Sequence, residues 1–327
     1  MLAELVCNVP ARARIDGDIA PDDSAAIFAL LREGRAAGMR GALLTLVDRE
    51  GGSARPIGAH MAVLEDGRFT GYLSSGCLEA ALAAEAVKQI GRGKNIVLRF
   101  GVGSPFFDIR LPCGGSIDVL IDVTLTREQI ESASDRLAHR QPFTLLLGAS
   151  SAARLVDGER RIGWHDEMFV RAYAAPLRIV TVGRGLEFEA VTRLAAAAGY
   201  PTRAFCADDR GTERLVESGI SVVRLSAPSA RPDLPLDTNT AVVLLFHDHE
   251  WETEVLRAAL ASPCRYIGAM GSVTTHRQRC ERLLRLGHSL DELDRIRGPI
   301  GLFGPTRDAS TLAISVLAEL AQIGAAT

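Results

Sequence analysis

Two cysteines sit where thiol chemistry is favoured. Ser74-Ser75-Gly76-Cys77-Leu78-Glu79 places Cys77 between a strand-like run and the start of a helical one, where the helix dipole and free amides favour thiolate over thiol. Cys113 stands in Leu111-Pro112-Cys113-Gly114-Gly115, a second glycine-flanked turn, just ahead of a strand. Gly76 and Gly114 let a ligand approach the backbone closely, and Arg55, in the loop from Gly51 to Gly58, is suited to hold an anion. One cysteine alone is more often a buried, inert thiol. Two in such turns, beside the Arg55 loop, point to a site.

The C-terminal half offers a different chemistry. Gly183-Arg184-Gly185 follows a strand and opens a helix, where unpaired N–H groups and the dipole attract a phosphate or pyrophosphate. The sixth position of the dinucleotide fingerprint, small in that motif, is Phe188. Asp208, 23 residues beyond Gly185 at the end of the next strand, is placed either to hold a ribose hydroxyl, a role Asp209 could equally fill, or to serve as a plain loop carboxylate. His247-Asp248-His249-Glu250 follows another apolar strand. It reads either as a two-histidine, one-carboxylate metal set or as a helix start with Glu250 in the first turn. Gly268-Ala269-Met270-Gly271-Ser272 precedes a basic helix with His276, Arg277 and Arg279; it is either a second anion-binding turn or a tight turn whose glycines only permit the backbone angles.

The elements that must position these residues follow from periodicity. A helix is expected over residues 25–37, ending at Gly38, then strands at 41–47, 59–64 and 68–73, the last two joined by the hairpin signal Asp66-Gly67. A helix at 78–90, strands at 95–100 and 116–122, and a helix capped by Thr124 or Thr126 and running to His139 follow. Residues 142–173 hold three strand-like runs, with Asp157-Gly158 marking a further hairpin. From Leu177 the pattern becomes β-α-β: strand 177–182, helix 187–198, strand 202–207, with strands at 222–225, 241–246 and 266–269 and a final helix at 312–323. An α+β first half thus precedes a parallel, doubly wound second half, the boundary lying near residue 175.

At 327 residues, 47% hydrophobic and 24% charged, the chain has the composition of a folded globular protein of about two domains. A net charge of −3 supplies no basic field, so no nucleic-acid partner is expected. No apolar run approaches the roughly 20 residues of a membrane span, and Met1 to Asp23 lacks a basic start and apolar core, so no membrane partner and a cytoplasmic address are expected. The six cysteines, at 7, 77, 113, 206, 264 and 280, include no C-x-x-C pair and are expected to be thiols.

The segments Glu50–Leu82, Leu111–Asp122, Val243–Leu260, Tyr266–Ser272 (YIGAMGS) and Gly298–Leu302 (GPIGL) together resemble the XdhC/CoxI family, accessory proteins of xanthine dehydrogenase and related molybdenum hydroxylases. The resemblance runs in order from about Gly41 to the final helix. It implies an α/β protein: an N-terminal α+β XdhC/CoxI domain over 1–175 followed by a Rossmann-like parallel-sheet domain over 176–327. The implied role is that of a chaperone and not an enzyme: to bind the molybdenum cofactor, as molybdopterin or its cytosine dinucleotide form, and protect it during sulfuration by a cysteine desulfurase. Delivery to an apo-molybdenum hydroxylase then follows, with a molybdenum cofactor nucleotidyltransferase as a further candidate partner. Cys77 and Cys113 match the family's two glycine-flanked cysteines and are implied to contact molybdenum or its sulfur, which suits soft thiolates. Gly183, Gly185, Asp208, His247, Asp248, Gly268, Gly271 and Ser272 are expected to hold the pterin phosphate or attached nucleotide. The rival readings are an NAD(P)-dependent oxidoreductase using Gly183, Gly185 and Asp208, and a scaffold without a cofactor pocket. A homodimer is expected on general grounds.

Overall fold

The computed structural model describes residues 24–51, 55–74, 76, 78–104, 114–158, 160–229 and 232–325; Cys77, Cys113 and the side chain of His249 lie outside what is described. Its contacts separate a unit ending at Ala175 from one beginning at Pro176.

The first unit contains α1 (Ser24–Ala36), β1 (Gly41–Glu50), β2 (His60–Leu64), β3 (Phe69–Gly71), α2 (Glu79–Arg92), β4 (Ile96–Gly101), β5 (Ser116–Asp122) and α3 (Arg127–Ala138). It ends with β6 (Phe143–Gly148), β7 (Arg154–Asp157), β8 (Gly163–His165) and β9 (Met168–Tyr173). The first five strands form an antiparallel sheet in the order β3-β2-β1-β5-β4. Both faces of β1 are covered. Ala42, Leu44 and Leu46 pack with Leu82, Ala86 and Ile90 of α2, whereas Leu43 and Val47 pack with Ile27, Phe28 and Leu31 of α1. Gly34 has a reason to be glycine inside α1: a Cβ there would lie 2.5 Å from the Leu64 side chain. Thr126, not Thr124, caps α3, in a reciprocal box with Gln129.

The Asp66-Gly67 hairpin joins β2 and β3, with Val63 opposite Phe69. The second hairpin expected from sequence, at Asp157-Gly158, is not one. Residues 142–173 form four strands in the order β7-β6-β9-β8, so β7 and β8 occupy opposite edges. The pair instead ends β7, where the Thr144 hydroxyl donates to the Gly158 carbonyl, and the chain then crosses to the far edge. The second turn lies at Asp166, whose φ is +53°.

His60 is fully buried and bonded on both ring nitrogens, to the Thr45 hydroxyl at 3.0 Å and to the Tyr173 hydroxyl. Burial, then the charge of Arg171, holds its pKa well below the ordinary value. The fold therefore binds the neutral ring, while the unfolded chain takes up a proton as pH falls through about 6.5. Stability is expected to fall between pH 7 and pH 5 by up to about 2 kcal/mol more in the native protein than in His60→Gln. Urea midpoints of both proteins at the two pH values check this; parallel losses would contradict it.

The second unit contains β10 (Arg178–Gly183), α4 (Gly185–Ala197), β11 (Thr202–Cys206), α5 (Asp209–Glu217), β12 (Ser221–Arg224), β13 (Thr240–Leu245) and α6 (His249–Leu260). It continues with β14 (Tyr266–Ala269), α7 (Val273–Arg285), α8 (Leu290–Leu293), β15 (Ile296–Arg297) and α9 (Ala309–Ala325). Its six strands are parallel, in the order β12-β11-β10-β13-β14-β15. That is the dinucleotide-binding arrangement, with the order reversing between β10 and β13. Side chains from α6, α7 and α8 cover one face and those from α4, α5 and α9 the other, so β13 is buried along its whole length. Among the described residues no helix is long and apolar enough to cross a membrane.

Candidate functional site

The carboxyl ends of these parallel strands open onto a cavity of about 750 Å³. Its walls are Glu187 and His247, the turn Met270–Val273, the loop of residues 299–308, and Leu312. The position agrees with the rule that open α/β sheets bind ligands where the strand order reverses.

Gly183 is dictated by packing, because a Cβ there would stand 2.5 Å from the Leu245 carbonyl oxygen of the neighbouring strand. Gly185 has φ +85°, and Arg184 precedes α4 without any side-chain cap. Phe188 is fully buried beneath α4, in a core that includes Val191 and Ile179, so a bulky ring fills the space of the fingerprint's small residue. Two side-chain contacts cross the point of strand reversal. Arg184 Nη2 lies 3.7 Å from Asp248 Oδ2, and His247 Nε2 lies 3.6 Å from Glu187 Oε2.

Several residues expected to bind ligand are already engaged. Asp208 caps α5, accepting from the Gly211 amide at 2.6 Å, and its neighbour Asp209 pairs with Arg224. Asp248 caps α6 by accepting from the Glu250 amide at 2.9 Å, which makes the His247–Glu250 segment a helix start. Among the described residues no group of three or more His, Cys, Asp or Glu is placed to hold a metal ion. Gly268 lies inside β14, not in the turn; a Cβ there would meet the Tyr266 ring at 2.5 Å. Gly271, with φ +137°, and Ser272, which caps α7 by accepting from the Thr275 amide at 3.1 Å, do line the cavity.

The wall at 299–308 is absent from the sequence expectations for the site, although its density of glycine and proline is a turn signal. It is pinned to α9. The Gly301 amide donates to Glu319 at 2.6 Å, the Phe303 amide to the Ser315 hydroxyl at 3.0 Å, and that hydroxyl to the Phe303 carbonyl at 2.5 Å. Glu319 also accepts from the Tyr266 hydroxyl at 2.9 Å; burial, then the Glu319 charge, pushes the tyrosine pKa up. On the other wall, Arg279 of α7 donates to the Met270 carbonyl at 2.7 Å and to both oxygens of Glu252.

In the first unit Gly76 (φ +95°) and Gly114 (φ +69°) both have open space where a Cβ would stand, and Arg55 donates to the Tyr72 carbonyl at 3.2 Å. Glu79, missed at the sequence level, is the organising group of the segment that carries Cys77. Its buried carboxylate accepts from the amides of Leu73, Ser74 and Leu78 and from the Ser74 hydroxyl. Elsewhere, burial pushes the Cys206, Cys264 and Cys280 thiols up, toward the protonated form.

Known proteins repeat both units in the same order. Residues 34–101 match the XdhC and CoxI family, and residues 179–320 match the XdhC Rossmann domain. The molybdenum cofactor insertion chaperone PaoD of Escherichia coli (strain K12) is 38% identical over 303 residues, 92% of this chain and 89% of that protein. A solved structure from Bacillus halodurans, described as a xanthine dehydrogenase, superposes with a TM-score of 0.69 at 24% identity, covering 91% of this chain and 96% of that one; it speaks to the fold alone. With both units matched and a chaperone relative aligned along nearly the whole length, this chain belongs to the XdhC and CoxI family.

Proposed function

We propose that this protein is a molybdenum cofactor chaperone: it takes up the cofactor as cargo, shields it during sulfuration, and hands it to a molybdenum hydroxylase of the xanthine dehydrogenase or aldehyde oxidase type. The observation that carries this is the 38% identity to an insertion chaperone, which spans both units. Cys77 and Cys113 supply soft ligands for molybdenum or its sulfur, with Gly76 and Gly114 leaving the backbone open beside them. The C-terminal cavity, considered by itself, is of the size usual for small-molecule sites. Partners in this reading are a cysteine desulfurase, the apo-hydroxylase and a nucleotidyltransferase, with a homodimer as the working state in the cytoplasm. The strand order favours one rival, an NAD(P)-dependent oxidoreductase.

The test is anaerobic loading with molybdopterin and with its cytosine dinucleotide form, followed by gel filtration and assay of molybdenum and pterin, with NADH and NADPH titrated in parallel. Near-stoichiometric cofactor is expected on the native protein, and at least tenfold less on folded Cys77→Ala and Cys113→Ala. Nicotinamide binding without cofactor retention would overturn the reading.

A further inference from the structure

The α4 turn has the ingredients of a pyrophosphate site, yet a carboxylate stands beside it. Glu187, the third residue of α4, folds back over the helix start: its Oε2 lies 3.9 Å from where a Cβ on Gly185 would stand. The same oxygen is 3.6 Å from His247 Nε2, on the turn after β13, across the strand reversal. Glu187 also lines the cavity. In a dinucleotide-binding sheet this is where the ligand's phosphates approach the first amides of the helix and the positive end of its dipole.

We propose that Glu187 is the specificity-determining residue of the C-terminal cavity, an internal carboxylate that keeps pyrophosphates away from the α4 turn. An incoming pyrophosphate meets a like charge within a few ångströms of the helix start, in a partly enclosed site. To a ligand that does enter, the cavity presents an apolar wall of Met270, Ile300 and Leu312. The inference concerns the second unit alone and stands whether or not the chaperone reading holds. If that reading does hold, a nucleotide-extended cargo lies with its pyrophosphate away from α4.

The experiment is calorimetric titration of ADP-ribose and NADH into the full-length native protein, Glu187→Gln and Glu187→Ala. Glutamine keeps the size and half-exposed setting of the side chain, so both variants are expected to unfold at the native temperature. Both are expected to bind ADP-ribose and NADH at least tenfold more tightly than the native protein, about 1.4 kcal/mol. Equal affinity in all three proteins, or binding by none, would overturn the proposal, and neither result bears on whether molybdenum cofactor is retained.

Discussion

Glu252→Ala is expected to lower the unfolding free energy by about 3–5 kcal/mol, seen as a large drop in the urea midpoint at unchanged slope. The side chains of Arg279 and Glu252 are 2% and 3% exposed and meet through two bonds of 2.9 Å. Removing the carboxylate leaves a guanidinium buried without its counter-charge, and no rotation of so enclosed a side chain returns it to water. The paired replacement Glu252→Leu with Arg279→Met is expected to recover most of that loss, because the charge and its partner leave together. It also removes the bond from Arg279 to the Met270 carbonyl, so ligand affinity in the cavity is expected to fall in the double variant even as stability returns. A loss below 1 kcal/mol in Glu252→Ala would show that water reaches the pair.

Periodicity made most elements legible because most carry a single buried face or none exposed. The alternation of Ala42, Leu44 and Leu46 with Leu43 and Val47 marks a strand with two covers, and the run Ala241–Leu245 marks a strand buried on both sides. Where the reading failed, a local signal had a second use. Asp157-Gly158 is good hairpin chemistry, but β7 already pairs with β6, so the turn leads away from the sheet. Asp208 is a different case: it sits where a ribose carboxylate belongs and also caps α5, which begins one residue later, a start obscured in the sequence because Gly211 in its first turn weakens the helical pattern.

The ends of β10, β13 and β14 were legible as places where ligands gather. Their mutual pairing was not. Glu187 and His247 are 60 positions apart, as counted along the chain, and meet only because β13 lies beside β10. That adjacency comes from strand order, which no local pattern encodes. The loop of residues 299–308 was likewise readable as a turn, while its service as a cavity wall depends on Ser315 and Glu319 of a helix that follows it. Arg279 reads as one of several arginines of a basic helix; only the burial of Glu252 against it singles it out.

Glu79→Ala is expected to affect both stability and cargo. The carboxylate stands at the first position of α2, favourable for the helix dipole, and gathers three backbone amides and a hydroxyl from residues 73–78. Alanine removes the acceptor those buried donors share, at about 1–3 kcal/mol for each donor left without a replacement, so a loss of about 3 kcal/mol or more is expected in urea unfolding. Glu79→Gln keeps the shape but turns an amide donor toward other donors, and an intermediate loss is expected. If the segment is ordered in order to present Cys77, molybdenum retention after gel filtration should fall at least tenfold in Glu79→Ala even at temperatures where the variant stays folded. Glu79→Gln should rank between it and the native protein. Retention that tracks only the folded fraction would make Glu79 a stabilising carboxylate with no part in holding cargo, and would move the search for the metal's ligands away from the start of α2.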